Sequence, residues 1–351
     1  MPVLKGCKNM LEHELLINIW FVLWCVIWAI YLVVDSFSLG AGMLAAFMPK
    51  NAGQLVQLAK SVGPFWSGNQ VWLILAAGGT FAAFPLIFSR MFTWLYIPMM
   101  LLLIAIILRG ICIELIYDGS NKKLQKVFQY GWALGSLLIT VVLGVAFTNF
   151  FRGMVIEPGY VYAGTLLGLF NVHALLGALL FVLFFVTSGA LWAAHKTTGE
   201  LSQKCAKFAK TPAIGVAVAA LIYIIALFNT DGFAVNYNDY QFFYAVPLIA
   251  VVFALACIVL TLKKSDKPFL GFLANLGTIF FGAATGVVTL YPAILKSSIS
   301  PEFGVSIFDA ASSHLTLTLM FYAAVILVPI VLVYQLWSYT RFKEKIAEGE
   351  H

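Results

Sequence analysis

Charge is scarce in this sequence. Only 10% of its 351 residues are Asp, Glu, Lys or Arg, where a soluble domain carries roughly a quarter. So thin a charged surface excludes a soluble enzyme or a soluble binding module. Polar linkers are missing as well, so residues 1–351 read as one polytopic membrane domain. The cysteines, Cys7, Cys25, Cys112, Cys205 and Cys257, are scattered, odd in number and contain no CxxC. That excludes a disulfide framework and a thiolate metal site, and no metal is expected. No Walker A loop, GxSxG or HExxH is present, which argues against an ATPase, a hydrolase or a metalloprotease. The formal charge of +6 could point to nucleic acid. The basic residues, however, lie in short segments between apolar runs. They therefore read as membrane-orientation signals, with no nucleic-acid partner.

What the chain does have is apolar length. Hydrophobic residues make up 62% of it and aromatics 15%. A helix needs about 20 apolar residues to cross roughly 30 Å of hydrocarbon. Runs that meet this fall at 15–34, 70–88, 92–112, 131–151, 163–186, 213–229, 243–262, 269–291 and 315–338. They are continuous rather than alternating, so they predict helices and not a barrel. The first run, preceded by Lys5 and Lys8, mimics a signal peptide. It is too long and lacks a small-residue cleavage site, so it reads as a retained helix. Lys and Arg divide fifteen to five between the two sides, with Arg109 inside a span. The expected fold is an all-α integral membrane bundle of nine transmembrane helices, with the N-terminus outside in the periplasm and the C-terminus in the cytoplasm.

Ionisable and amide side chains at membrane depth are the functional candidates. Asp35 is expected to close the first helix on the cytoplasmic side, with Ser38 three residues on and on the same face. A carboxylate beside a hydroxyl can hold water and pass protons; it can equally be an interfacial cap. Arg109 can pair with a buried acid or snorkel to the headgroups, and Glu114 reads as interfacial. The second span opens with Trp66-Ser67-Gly68-Asn69-Gln70-Val71-Trp72. Its tryptophans fit an aromatic belt, whereas the amides of Asn69 and Gln70 need partners. Gly78-Gly79 and Ala82-Ala83 predict close packing against another helix. His173 invites a haem-ligand reading, but one histidine is weaker than a pair and reads first as a packing residue. His314, beside Ser312 and Ser313, reads as a cap; His13, His195 and His351 read as loop or tail residues.

GNQVWL at 68–73, AAGGTFAAFP at 76–85, GVAFTN at 144–149, DGF at 231–233, LYP at 290–292 and DAASSHLTL at 309–317 occur in this order. Together they resemble subunit II, the smaller subunit, of cytochrome bd-type quinol oxidases, over nearly the whole chain. The resemblance implies a multi-pass subunit of the bacterial inner (cytoplasmic) membrane, in an electrogenic complex that oxidises quinol and reduces dioxygen to water without pumping. It implies b- and d-type haems and the quinol-oxidising loop in a partner, subunit I, with no haem ligated by this chain and no catalytic residue in it. It also leaves room for a structural quinone or lipid and for a small single-span accessory subunit.

Residue by residue, the family's Asp-Gly-Phe-Asp reads Asp35-Ser36-Phe37-Ser38 here, and its Trp-Asp-Gly-Asn reads Trp66-Ser67-Gly68-Asn69. Serine replaces an acid in both places and cannot hold a proton on the carboxylate scale. The resemblance thus predicts a proton path through Asp35, Ser38, Ser67 and Glu114 that is short of acids. It also predicts a structural setting near the cofactors built from Trp66, Asn69, Gln70, Trp72 and Arg109. Two other readings remain beside it: a secondary transporter, which would carry inverted repeats and broken mid-membrane helices, and a stand-alone membrane cytochrome b.

Overall fold

The computed structural model describes residues 2–117, 121–263 and 266–349, with side chains from residue 12 onward. Cys7, Lys5 and Lys8 fall among the undescribed side chains, and Lys264 and His351 lie outside the described residues. The long helices are α1 (Pro2–Ala45), α2 (Ala52–Ala83), α4 (Tyr96–Leu115), α5 (Lys122–Arg152) and α6 (Val172–Lys196). They continue with α8 (Lys210–Phe228), α10 (Ala245–Lys263), α11 (Pro268–Val288) and α13 (His314–Arg341). Shorter helices are α3 (Pro85–Trp94), α7 (Gly199–Phe208), α9 (Val235–Asp239) and α12 (Ile307–Ala310). Among the described residues there are eight helical spans long and apolar enough to cross a bilayer, or nine if the bent pair α2–α3 is one span.

Local chemistry sets most of the boundaries. Asn51, Asn121, Asn171 and Ser313 each accept a hydrogen bond from a backbone N–H of the first turn, capping α2, α5, α6 and α13. The break between α2 and α3 bends the chain by 119°. It falls at Phe84 because Pro85 has no N–H to continue the ladder and its ring disfavours a helical residue before it. The carbonyls freed at the end of α2 are taken by Ser312, whose N–H bonds Ala83 O at 2.9 Å and whose hydroxyl bonds Ala82 O at 2.6 Å. At the other end of the bundle Lys204 donates to Phe47 O and Met48 O, at 3.1 and 2.7 Å, just past the end of α1.

Helix α1 is the central post. It packs on α2, α5, α6, α11 and α13. Its approach to α6 depends on two glycines facing each other: a Cβ on Gly40 would lie 1.8 Å from Phe185 O, and one on Gly189 would lie 2.3 Å from the Gly40 carbonyl carbon. The connections between helices gather at two opposite ends. At one end, two small hairpins, β1 (Ile156–Glu157) with β2 (Val161–Tyr162) and β3 (Ala293–Leu295) with β4 (Val305–Ser306), are joined by a bridge between Met154 and Ser297. At the other, Thr197 bridges to Ile346 of the tail.

Several helices depart from the hydropathy reading. The first does not stop at Asp35; it runs ten residues further, to Ala45. Its continuation is buried, with Leu39, Ala41, Leu44 and Ala45 at 0% exposure. A lone carboxylate ends an apolar run in sequence, but a partnered one does not end a helix. The second begins at Ala52 rather than near residue 70, and ends at Ala83 rather than 88. The fifth run, expected at 163–186, becomes a helix only at Val172 and continues to Lys196. Its first part is loop and a short 3-10 turn, Leu167–Phe170, with Leu167 82% exposed. Asn171, the cap, sits unremarked inside that apolar run.

Candidate functional site

Asp35 and Arg109 carry the most deeply buried charges among the described residues, each side chain 1% exposed. Arg109 Nη1 donates to Asp35 Oδ2 and Nη2 to Asp35 Oδ1, both at 3.0 Å. This is a two-pronged pair of charge-assisted bonds. Gln70 Nε2 gives Asp35 Oδ2 a third donor at 2.7 Å, and Arg109 Nη2 also donates to Ser38 Oγ at 2.5 Å. The site thus joins α1, α2 and α4. Helix α5 seals it from the side: a Cβ on Gly135 would stand 3.0 Å from the backbone nitrogen of Arg109, so only glycine lets α5 lie so close.

Asp35 is therefore not an interfacial cap and Arg109 does not snorkel. Burying two charges together is tolerable when their lone pairs and protons are satisfied, whereas removing one partner strands the other. The remaining candidates divide around this pair. Trp66 lies with its ring centroid 5.9 Å from the Arg109 guanidinium carbon and donates from Nε1 to Glu114 Oε1 at 3.1 Å. Exposed Glu114 is thereby connected to the buried arginine through one indole. Asn69 donates to Val34 O at 2.7 Å and accepts from Gln335 Nε2 at 3.0 Å, and Gln335 Oε1 accepts from Trp72 Nε1 at 2.5 Å. Ser67 is not brought to the site; it lies on the exposed face of α2. Gly78 and Gly79 do not pack closely within this chain either, since a Cβ on either would meet nothing within 4 Å.

The sequence reading missed a row of hydroxyl and N–H groups. Tyr31, Asp35, Ser38 and Gly42 lie on one face of α1 by their spacing. Arg109 Nε, Ser136 Oγ and Trp132 Nε1 are buried and lack a hydrogen-bond partner, while the Tyr31 hydroxyl is buried beside Asp35 and Gln70. Ser136 Oγ and Trp132 Nε1 stand against Gly42, where a Cβ would lie 2.0 and 2.7 Å from them. Three buried polar atoms in need of partners thus lie where α1, α4 and α5 meet, beside one ion pair. The spacing 31, 35, 38 was legible; the contributions of Ser136 and Trp132 from α5 were not.

Residues 16–342 match the family described as cytochrome bd terminal oxidase subunit II. The chain belongs to this family. It is 31% identical over 339 residues to cytochrome bd ubiquinol oxidase subunit 2 of Bacillus subtilis, covering 95% of this chain and 97% of that one. It is 29% identical over 378 residues to cytochrome bd-I ubiquinol oxidase subunit 2 of Escherichia coli K12, covering 97% and 99%. Its fold is that of a chain in the bd oxidase of Geobacillus thermodenitrificans, with a TM-score of 0.74 over 93% of this chain and 98% of that one, at 18% identity. A subunit II of a terminal oxidase is a multi-pass membrane chain of the respiratory apparatus and one part of an oxidoreductase complex, with a subunit I as its counterpart. The secondary-transporter reading ends there.

A cytochrome implies haem, and this subunit's own donors do not fit one. His173 sits at the first turn of α6 with Nε2 3.4 Å from Thr230 Oγ1, His195 lies over Phe269, and His13 faces His314. The large internal cavity, about 280 Å³ between α6, α8, α10 and α11, is lined by aliphatic and phenyl side chains with Tyr223, Thr278 and Thr285, and by no His, Met or Cys. Axial ligation needs such donors. The stand-alone cytochrome b reading therefore has no site among the described residues.

Proposed function

We propose that this chain is the haem-free half of a quinol:oxygen oxidoreductase and that its buried Asp35 site guides protons taken up from the cytoplasm. The fifteen-to-five division of Lys and Arg orients the bundle, with the N-terminus outside and the tail in the cytoplasm. Subunit I carries the b- and d-type haems, which transfer electrons from quinol to oxygen. Ubiquinol, the quinol named for the bacterial relatives, is the substrate class expected of the complex. Quinol oxidation releases protons outside, and the protons that make water come from inside, so charge is separated without a pump.

Subunit I docks on the face made by α2, α4 and α13. Along α13 only Leu317 is buried within the chain. The same face presents Ser67, Gly68 and Gly78 on α2, with Gln335 half-buried behind it. Small and amide side chains among apolar ones mark a helix–helix contact rather than a lipid-facing surface. A small single-span accessory subunit would find room on the apolar perimeter, as would a structural quinone or lipid.

The observation that carries the proton role is the placing of three unpartnered polar atoms beside one fixed ion pair. Asp35 is held by three donors and serves as an anchor: it fixes Arg109, whose Nε, with Ser38, Ser136, Trp132 and Tyr31, orders water along α1. Glu114, linked through Trp66, is a mouth on the exposed side, and Ser67 borders the path only at the subunit I contact. The test is oxygen reduction by the whole complex in sealed vesicles. Ser136→Val, which removes a water partner, should slow turnover with the haem spectrum unchanged. Full turnover in that variant would take the α1–α5 seam out of the path.

A further inference from the structure

We infer that the C-terminal tail completes a binding site for a phosphate-bearing anion at the cytoplasmic membrane surface, and that its occupant is the headgroup of an anionic phospholipid. Residues 342–349 fold back under the bundle instead of leaving it. Ile346 N donates to Lys196 O at 2.8 Å, Ile346 O accepts from Thr198 N at 3.1 Å and from Gln57 Nε2 at 2.8 Å. Lys196, buried at the end of α6, donates its ammonium to the carbonyls of Phe342 and Glu344. The tail is held by its backbone, which frees its side chains for other use.

Where the tail passes α2 it encloses a cavity of about 210 Å³. Lys60 of α2, Lys196 of α6, Arg341 at the end of α13 and Lys345 of the tail line it, against one acid, Glu344. Glu344 lies close enough to Lys196 to act on its charge. Arg341 and Lys345 form no ion pair among the described residues. The cavity is thus basic, and a guanidinium on its rim offers the fork that suits phosphate oxygens. Its other walls are apolar, with Phe65 stacked on Tyr339 at 4.7 Å between centroids.

Two ligand sources share this chemistry, free phosphate and a lipid phosphodiester, and the position favours the lipid. Arg341 and Lys196 close two membrane-length helices, so the cavity lies at headgroup depth, where basic pockets collect anionic lipid. Half of the wall is tail, so whatever binds there also stabilises the docked tail. The site would let the composition of the membrane set how firmly the inner end of the bundle is closed.

Amide hydrogen exchange of residues 342–349 in the purified complex tests this. The complex is placed in nanodiscs of phosphatidylcholine alone, of phosphatidylcholine with phosphatidylglycerol, and of phosphatidylcholine with added inorganic phosphate. Phosphatidylglycerol is expected to slow tail exchange several-fold, and phosphate to leave it unchanged. The pair Arg341→Gln with Lys345→Gln should abolish the slowing, while Lys343→Gln, which lies outside the cavity, should keep it. Equal exchange in both membranes overturns the proposal, as does protection by phosphate that matches that by lipid. Loss of protection in Lys343→Gln as complete as in the pair also overturns it, because bulk surface charge would then explain the effect.

Discussion

Arg109 meets Asp35 across the centre of the bundle with two parallel hydrogen bonds of 3.0 Å. The two residues stand 74 positions apart in the chain, and neither has any other counter-charge within hydrogen-bond reach among the described residues. Each is the condition for burying the other.

Arg109→Gln is therefore expected to cost about 3–5 kcal/mol of stability, the range for breaking a buried pair from one side. Thermal unfolding of the assembled complex measures this. Arg109→Lys should recover only part of the loss, because an ammonium cannot reach both carboxylate oxygens and Ser38 in the same geometry.

Asp35→Asn separates anchoring from proton handling. Alone it should slow oxygen reduction with haem content intact. Combined with Arg109→Gln, it removes both charges, and the loss of stability should be smaller than the sum of the two single losses. If turnover also returns in the double variant, Asp35 serves only to neutralise Arg109. If stability returns and turnover does not, the pair belongs to the proton path.

Much of this site was legible in the sequence, and the rest was hidden for physical reasons. Asp35, Arg109, Asn69 and Gln70 stood out because each is polar at membrane depth. Their meeting was not legible, since apolar helices give no signal of which faces they turn to each other. Hydropathy ended the first helix at Asp35 because it scores the acid without its partner. It began the fifth too early because an exposed loop at 163–171 is as apolar as a span, and only the cap at Asn171 marks the change. Ser67 was read with its neighbours on the strength of a motif, but in α2 it is exposed where Asn69 and Gln70 are buried.

Gly189→Ala should destabilise the bundle by about 1–3 kcal/mol, the usual cost of overpacking a close contact. The added methyl would stand 2.3 Å from the carbonyl carbon of Gly40. Loss of assembled complex on expression, relative to an alanine at Gly282, is the measurement. Gly282→Ala should be near neutral, since the added carbon would meet only the Phe184 ring, at 3.7 Å.

Lys296 gives a pH dependence to the loops around Gly232. Its ammonium donates to Gly232 O at 2.8 Å, and burial lowers its pKa to about 8 from the model-compound value of 10.5. Between these two values the unfolded state binds more protons than the folded one, so local stability rises with pH across that window. Below about 8 the buried ammonium is a standing cost. Exchange of the amides around 230–238 should slow, relative to the intrinsic rate, as pH is raised from 8 towards 10. Lys296→Met should flatten that slope; a slope that survives the substitution assigns it to another group.

The tail carries one consequence for how the molecule is made. The partners that Gln57, Lys196 and Thr198 need are backbone groups of residues 342–346. Those groups leave the ribosome after every membrane span described here. These ends of α2 and α6 must therefore wait, inserted but unfinished, through the synthesis of the second half of the chain. The corner can close only once residues 342–346 have been made, and a chain stalled before residue 342 would leave it open.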